Sequence, residues 1–320
     1  MAKLTRLFHA ADLHGSEACF RKVVASVKLY KPDVITICGD LTGKGIIPII
    51  ERPDTTFTAS FFGKEYAMRT QQEVGSLVEK IRLNGWYDWH CTPAQMDEFR
   101  ASKELQTKIF SQVIPETMKR WVSMARDGLK GKNVRLFILP GNDDEFGVDE
   151  VLRDTGCDYI TNPEGKIVQI DADHEMISTG YCNITPWHAY RDIPEEELAQ
   201  KIEAMASQVK NMSSCIFNFH CPPFNTLLDA APKLDKTLRP IMSGGAPEMA
   251  PAGCVAVRNA IEKYQPFLGL HGHIHESRGV EKIGRTMCVN PGSEYGEGIV
   301  RGCLINMDKD SVKSYLFTSG

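Results

Sequence analysis

The 320-residue sequence predicts an α/β protein in which two packed sheets are flanked by helices. Two observations predict the class: short apolar runs alternate with segments of helical period, and a strand-rich tail closes the chain. A third locates a site. Asp12-Leu13-His14, Gly39-Asp40, Gly141-Asn142, His220 and Gly272-His273-Ile274-His275 each follow directly on an apolar run. Ligands of layered α/β folds collect beyond the carboxyl ends of strands, so these five segments are the candidate functional positions.

In chain order, Leu4 to Ala10 reads as a strand, Glu17 to Tyr30 as an amphipathic helix and Asp33 to Cys38 as a second strand. The first two polar segments thus end neighbouring strands of a βαβ unit. The third follows Val134 to Leu139, about a hundred residues after Asp40, so an insertion intervenes. Within it Val74, Leu77, Val78 and Ile81 recur at helical spacing, as do Met96, Phe99, Ile109, Val113 and Trp121 after the helix start Thr92-Pro93, with Pro115 expected to kink that stretch. Residues 60 to 130 are expected to form a mainly helical insertion, serving as a cap, an oligomer contact or a packing layer. Strands resume at 167–170 and 175–180, and a helix at 194–209 opens on Glu195, Glu196 and Glu197. A strand at 215–219 delivers His220, a helix covers 255–264, and 267–270 delivers the histidine cluster. Strands at 286–289, 301–307 and 312–317 complete the sheets.

The composition narrows the function. At 42% hydrophobic residues the chain buries a sizeable core, and a net charge of −4 with a pI near 6.2 gives no basic footprint for a duplex. Long nucleic acid is therefore not an expected partner. No apolar run approaches the roughly 20 residues that cross a bilayer, and Met1 to Phe8 reads as a strand entering the first motif, not a cleavable signal. Ten cysteines without a CxxC pair point to buried thiols in a reducing, cytoplasmic setting.

Taken singly, each polar segment has an ordinary reading: a surface turn for Asp12-x-His14, a helix cap for Asp40, a polar turn for Gly141-Asn142-Asp143-Asp144, a satisfied core histidine for His220. Three of the nine histidines, however, fall within 271–275. Their joint occurrence with the other segments, in order and at strand ends, reads as a dinuclear metal site. Mixed imidazole and carboxylate donors suit two divalent transition ions such as Mn, Fe or Zn.

These segments resemble the metallophosphoesterase, or calcineurin-like phosphoesterase, superfamily, whose pattern is Asp-x-His, Gly-Asp, Gly-Asn-His-Asp/Glu, His and Gly-His-x-His. More narrowly, 220–229, 272–277, Asn290-Pro-Gly-Ser293, Thr185-Pro-Trp187 and Arg191 to Leu198 are similar to the Icc-related phosphoesterases. The resemblance implies a four-layer αββα sandwich of two mixed sheets, one domain spanning 1–320 with the insertion at about 60–130. It implies a first metal on Asp12, His14, Asp40 and His275 and a second on Asp40, Asn142, His220 and His273, with Asp40 bridging. Such ions lie roughly 3.5 to 4 Å apart, and a hydroxide bridging them attacks the phosphorus in line. Asp40, Asn142, Asp143 and His220 are the candidate catalytic residues, and Asp144 is a candidate orienter of a ligand imidazole.

Asp143 stands where the superfamily carries a histidine that assists the leaving oxygen. An ordinary Asp, with a pKa of about 3.9, cannot donate near neutrality, so activated aryl esters or diesters are the expected better substrates, with His188, His271 and His90 as substitute donors to examine. Arg278, Arg285 and Arg191 are candidate phosphate or base contacts on charge alone. The expected function is hydrolysis of small phosphodiesters or nucleotide-like phosphate esters, without a membrane partner and with self-association through the insertion as one option. The alternatives are a nuclease or protein phosphatase of the same superfamily, or a non-catalytic metal-binding scaffold. Scaffold members lose ligand residues, whereas here all seven positions are filled.

Overall fold

The computed structural model describes residues 4–320, so the expectation for Met1 to Lys3 lies outside the described residues. Two six-stranded mixed sheets stack face to face. The first contains β1 (Thr5–Ala10), β2 (Val34–Cys38), β7 (Arg135–Leu139), β8 (Ile160–Thr161), β21 (Arg301–Met307) and β22 (Val312–Ser319), in the order β22-β21-β1-β2-β7-β8. The second contains β9 (Ile167–Gln169), β10 (Glu175–Thr179), β13 (Ile216–Phe219), β18 (Leu268–Leu270), β19 (Gly279–Ile283) and β20 (Thr286–Asn290), in the order β19-β20-β18-β13-β10-β9. The central pairs β1-β2-β7 and β10-β13-β18-β20 are parallel. Buried on both faces, these strands read as continuous apolar runs, which is why they were visible in the sequence.

Leu7, Val34, Phe137, Met176, Ile216, Leu268 and Ile305 fill the space between the sheets. Outside the first sheet pack α1 (Glu17–Tyr30), α4 (Lys103–Leu129) and α5 (Gly147–Arg153), and outside the second α6 (Glu195–Ala206) and α7 (Val255–Tyr264), which gives the expected αββα layering. Ser16 caps α1 by accepting from the Cys19 N–H. Trp121 of α4 is fully buried and stacks on Phe20 of α1 at 4.3 Å. Emptying that position would cost about 3 to 5 kcal/mol.

Between β2 and α4 the chain departs from the layers. The expected helices are present as α2 (Gln71–Leu83), α3 (Pro93–Ala101) and α4, the first two opening on capping boxes, Thr70 with Glu73 and Thr92 with Gln95. The departure starts earlier than residue 60 and includes a sheet that was not expected. β3 (Ile46–Glu51), β4 (Phe57–Phe61), β5 (Lys64–Met68) and β6 (Tyr87–Cys91) pair in the order β5-β4-β3-β6 and, with α2, enclose a small core of their own. α4 runs without a break through Pro115 and belongs to the outer helical layer. Its proline removes one backbone bond, and packing of Ile114, Met118 and Trp121 outweighs that loss.

Smaller pieces complete the chain. β11 (Cys182–Asn183) pairs with β12 (Asp192–Ile193), and an arm of β14 (Ala230–Pro232), β15 (Met242–Ser243), β16 (Ala246–Pro247) and β17 (Met249–Pro251) extends between β13 and α7. All ten cysteines are free, nine of them buried. Among the described residues no helix is long and apolar enough to cross a membrane.

Candidate metal centre

Asp12 follows β1, Asp40 follows β2 and Asn142 follows β7, three neighbouring strands of one sheet. His220 follows β13, and His273 and His275 follow β18, neighbours in the other. Stacking the sheets therefore brings all seven predicted ligands to one edge. Backbone bonds stitch the loops together: Asp12 N–H to Gly39 O at 3.1 Å, His14 N–H to Asp40 O at 2.8 Å and Gly272 N–H to His220 O at 2.9 Å. Asn290 donates its amide to Gly272 O and Ile274 O, and the Ser293 hydroxyl donates to Asp12 O, so the Asn290-Pro-Gly-Ser293 segment holds the histidine loop against β1.

Four of the seven adopt left-handed backbone without being glycine: Asp12 (φ 54°), His14 (φ 40°), Asp40 (φ 48°) and His273 (φ 67°). Such conformations cost about 1 to 3 kcal/mol each and collect at functional sites. Gly39, at φ 86°, is required for a different reason than approach to a ligand: a Cβ there would fall 2.1 Å from His220 Nδ1. The bare backbone is what lets the second sheet's histidine reach across the first.

Two adjoining groups result, each with ligand atoms within 4.8 Å of one another: Asp12, His14 and His275, and Asp40, His220 and His273, with a third, His14, Asp40 and Asp143, linking them. Asp40 belongs to both halves, with Oδ2 3.6 Å from His14 Nε2 and Oδ1 3.3 Å from His220 Nε2. His275 Nε2 lies 3.6 Å from Asp12 Oδ1 and 3.1 Å from His14 Nε2. The His220 Nδ1–H donates to Cys38 O at 2.8 Å, which aims the Nε2 lone pair inward. Asn142 is oriented likewise: its Nδ2 donates to Asp192 Oδ1 at 3.0 Å, leaving Oδ1 bare.

Nine buried side-chain nitrogen or oxygen atoms lack a partner among the described residues, and four belong to this cluster: His14 Nδ1, Asn142 Oδ1, His220 Nε2 and His273 Nδ1. Native proteins rarely leave such groups unpaired unless an ion or water completes them. With two buried carboxylates alongside, the donor set fits divalent cations.

The protonation pattern agrees. Burial lowers the imidazole pKa values of His14 to about 3 and of His273 to about 4, so both present neutral nitrogens. Burial also works against charge on His220 and His275, but Asp40 and Asp12 outweigh it and raise both. Against the burial that opposes their ionisation, the same histidines hold Asp12 below and Asp40 well below the ordinary carboxylate range. Without cations, protonated imidazoles balance the carboxylates, and a cation entering must displace those protons.

Other candidates separate. Asp143 lies at the cluster, its N–H donating to Asp40 Oδ1 at 3.1 Å and its carboxylate paired with Lys44 Nζ at 2.7 Å. Burial and Asp40 raise its pKa against the pull of Lys44. Asp144 does not orient an imidazole. It accepts from Leu41 N, Thr42 N, Thr42 Oγ1 and Gly141 N, tying the Asp40 loop to the Asn142 loop, because its side chain turns back under the turn and away from the cluster. The substitute donors do not reach the cleft either: His271 is buried, donating to Phe219 O, while His90 and His188 are exposed outside its lining. Arg191 is buried against Asp149 at 2.6 Å and Arg285 bonds Gln265 O, so neither is a substrate contact, whereas Arg278 lines a groove beside His275.

Three residues escaped the sequence reading. Lys44 follows Asp40 by four positions, and that proximity was its only signal. Tyr295 packs its ring 4.5 Å from His14 and 5.7 Å from His275. Asp192 holds Asn142 from 50 residues away.

No family model matches the chain. The uncharacterized protein MJ1162 of Methanocaldococcus jannaschii is 29% identical over 160 residues, which is 49% of this chain and 64% of that protein, so the match spans less than two thirds of the relative's length. One crystal structure aligns with 99% of this chain and 99% of its own at a TM-score of 0.61 and 13% identity. That of TT1561 from Thermus thermophilus aligns with 96% of this chain and 100% of its own at a TM-score of 0.52 and 12% identity. By its layers, its strand order and its likeness to these structures, the chain has the calcineurin-like α/β sandwich fold.

Proposed function

We propose that the chain is a metal-dependent hydrolase of phosphate esters, with small phosphodiesters or nucleotide-like molecules as the favoured substrates. The buried, unpartnered Asn142 Oδ1 and His273 Nδ1, together with the imidazoles of His14, His220 and His275 gathered around the carboxylates of Asp12 and Asp40, carry this reading. Asp12, His14 and His275 would hold one cation, and Asn142, His220 and His273 a second, with Asp40 shared. Bound there, divalent ions supply activation of water and neutralisation of phosphoryl charge for an in-line displacement.

The chain's own groups supply the remainder. Asp192 and the Cys38 carbonyl fix the ligand faces of Asn142 and His220 before substrate arrives. The Lys44 ammonium, held by Asp143 at the cleft, adds a positive charge for a phosphoryl oxygen. Burial works against its charge, but Asp143 prevails and raises its pKa, so it stays charged and is a poor proton donor near neutrality. This favours esters with good leaving groups. The free thiols support a reducing, cytoplasmic setting.

Hydrolysis of bis-p-nitrophenyl phosphate by Mn²⁺-loaded protein, with Asp40→Asn as control, tests the reading. Turnover lost in the variant is expected; a wild-type protein that binds two ions without turnover would mark a scaffold.

A further inference from the structure

Outward from the metal ligands runs a cleft of about 610 Å³ between two walls. One is the segment after β11, where Ile184 and Trp187 are 52% and 64% exposed on either side of Pro186. The other is the β14–β17 arm, which presents Leu234, Leu238 and Pro240, Leu238 being 45% exposed. Asp229 pins both roots of that arm by accepting from Asn225 N, Thr226 N and Gly253 N. Of the other charged groups in the lining, Lys233 is paired with Glu248 at 3.0 Å and Lys44 with Asp143 beside the metal ligands; Glu276 lines the end beside His275. An exposed apolar surface of this kind inside a cleft marks a binding site.

Trp187 sits on a tied-down loop. Asp192, whose Oδ1 holds the Asn142 amide, uses Oδ2 to accept from Thr185 N at 2.9 Å, Thr185 Oγ1 at 2.5 Å and Ala189 N at 2.9 Å. The Trp187 N–H in turn donates to Thr185 Oγ1, and the Arg191 N–H to Asn142 O. A single carboxylate therefore sets the loop that carries Trp187 and a metal ligand in one frame, so the backbone from which the indole projects is fixed relative to the phosphoryl position.

We propose that this slot selects phosphate esters whose substituent is a flat, uncharged aromatic group, an aryl ring or a nucleobase, stacked on Trp187 and backed by the proline- and leucine-lined arm. Trp187 is then a specificity-determining residue. The inference rests on the hydrolase reading, since the phosphoryl end must lie at the metal ligands. An aromatic occupant is favoured over a flexible chain because the indole and the prolines offer flat, rigid faces at which stacking adds to burial.

Binding to the Mn²⁺-loaded full-length protein, measured by titration calorimetry, tests this without turnover, using phenyl-, cyclohexyl- and methylphosphonate. Phenylphosphonate is expected to bind about tenfold tighter than methylphosphonate, about 1.4 kcal/mol, with cyclohexylphosphonate between them. Trp187→Ala should bring the phenyl-to-methyl ratio to within about twofold while methylphosphonate binds as before, and Trp187→Phe should keep most of it. Equal binding of phenyl and methyl, a ratio unmoved by Trp187→Ala, or cyclohexyl as tight as phenyl overturns the inference and leaves the hydrolase reading standing. A phenyl preference without hydrolysis of bis-p-nitrophenyl phosphate overturns the hydrolase reading and keeps the slot. Binding by none of the three overturns both.

Discussion

Replacing Asp192 by Asn changes one atom and is expected to turn a metal ligand around. Three donors, Thr185 N, Thr185 Oγ1 and Ala189 N, converge on Oδ2 and require an acceptor there. The new carbonyl oxygen must take that position, which sets the new amide NH₂ against the Asn142 NH₂, two donors at the 3.0 Å where a bond now exists. Asn142 escapes by rotating its amide, so that its carbonyl accepts from the variant and its NH₂ points at the cluster, where a lone pair is needed. Losing such a supporting partner typically costs 10- to 100-fold in metal affinity, on the order of 1.4 to 2.7 kcal/mol. Because three of the four bonds persist, the folded state should survive with little change in Tm. Calorimetric titration with Mn²⁺ should show one of two sites weakened by about that factor and the other unchanged. Two sites of wild-type affinity in Asp192→Asn would refute the reasoning.

Three further outcomes are expected. Gly39→Ala drives a Cβ to within 2.1 Å of His220 Nδ1 at φ 86°, and should cost about 2 to 5 kcal/mol in urea unfolding together with loss of a metal site; wild-type stability would contradict it. With Asp143 in place of the superfamily's histidine and Lys44 held charged by it, aryl esters and diesters should outpace alkyl monoesters by about 100-fold or more in kcat/KM, the usual worth of a general acid; comparable rates on glycerol 2-phosphate would contradict it. Burial raises the Glu164 carboxyl from 4.5 to about 7, against the Gly180 N–H that bonds it at 2.6 Å. The folded state then holds the extra proton, so this contribution is full below pH 4.5 and is lost as pH rises toward 7, and Glu164→Gln should flatten the fall in unfolding free energy across that window.

The layers and the ligand set were legible because each ligand follows an apolar strand of a parallel sheet, where local sequence and burial coincide. β3 to β6 were not. Ile46-Ile47-Pro48-Ile49-Ile50 is apolar enough for a strand but carries a proline, the alternation of β4, Phe57-Thr58-Ala59-Ser60-Phe61, spans only five residues, and β5 opens on Lys64-Glu65 with no period, so only their mutual pairing makes a sheet. The arm of β14 to β17 is proline-rich and exposed, without a period to read. Asp192, Tyr295 and the Lys44–Asp143 pair act on partners 50 to 281 residues away or across the two sheets, contacts that no spacing encodes. Asp144 was misread because a carboxylate beside a ligand looks alike whether it faces the ion or the turn beneath it.

Anomalous diffraction at the manganese edge from crystals grown with Mn²⁺ tests the central assignment most directly. Two peaks are expected, roughly 3.5 to 4 Å apart, one among Asp12, His14, Asp40 and His275 and the other among Asp40, Asn142, His220 and His273. No peak there, or a single peak that Asp40 does not touch, would contradict it.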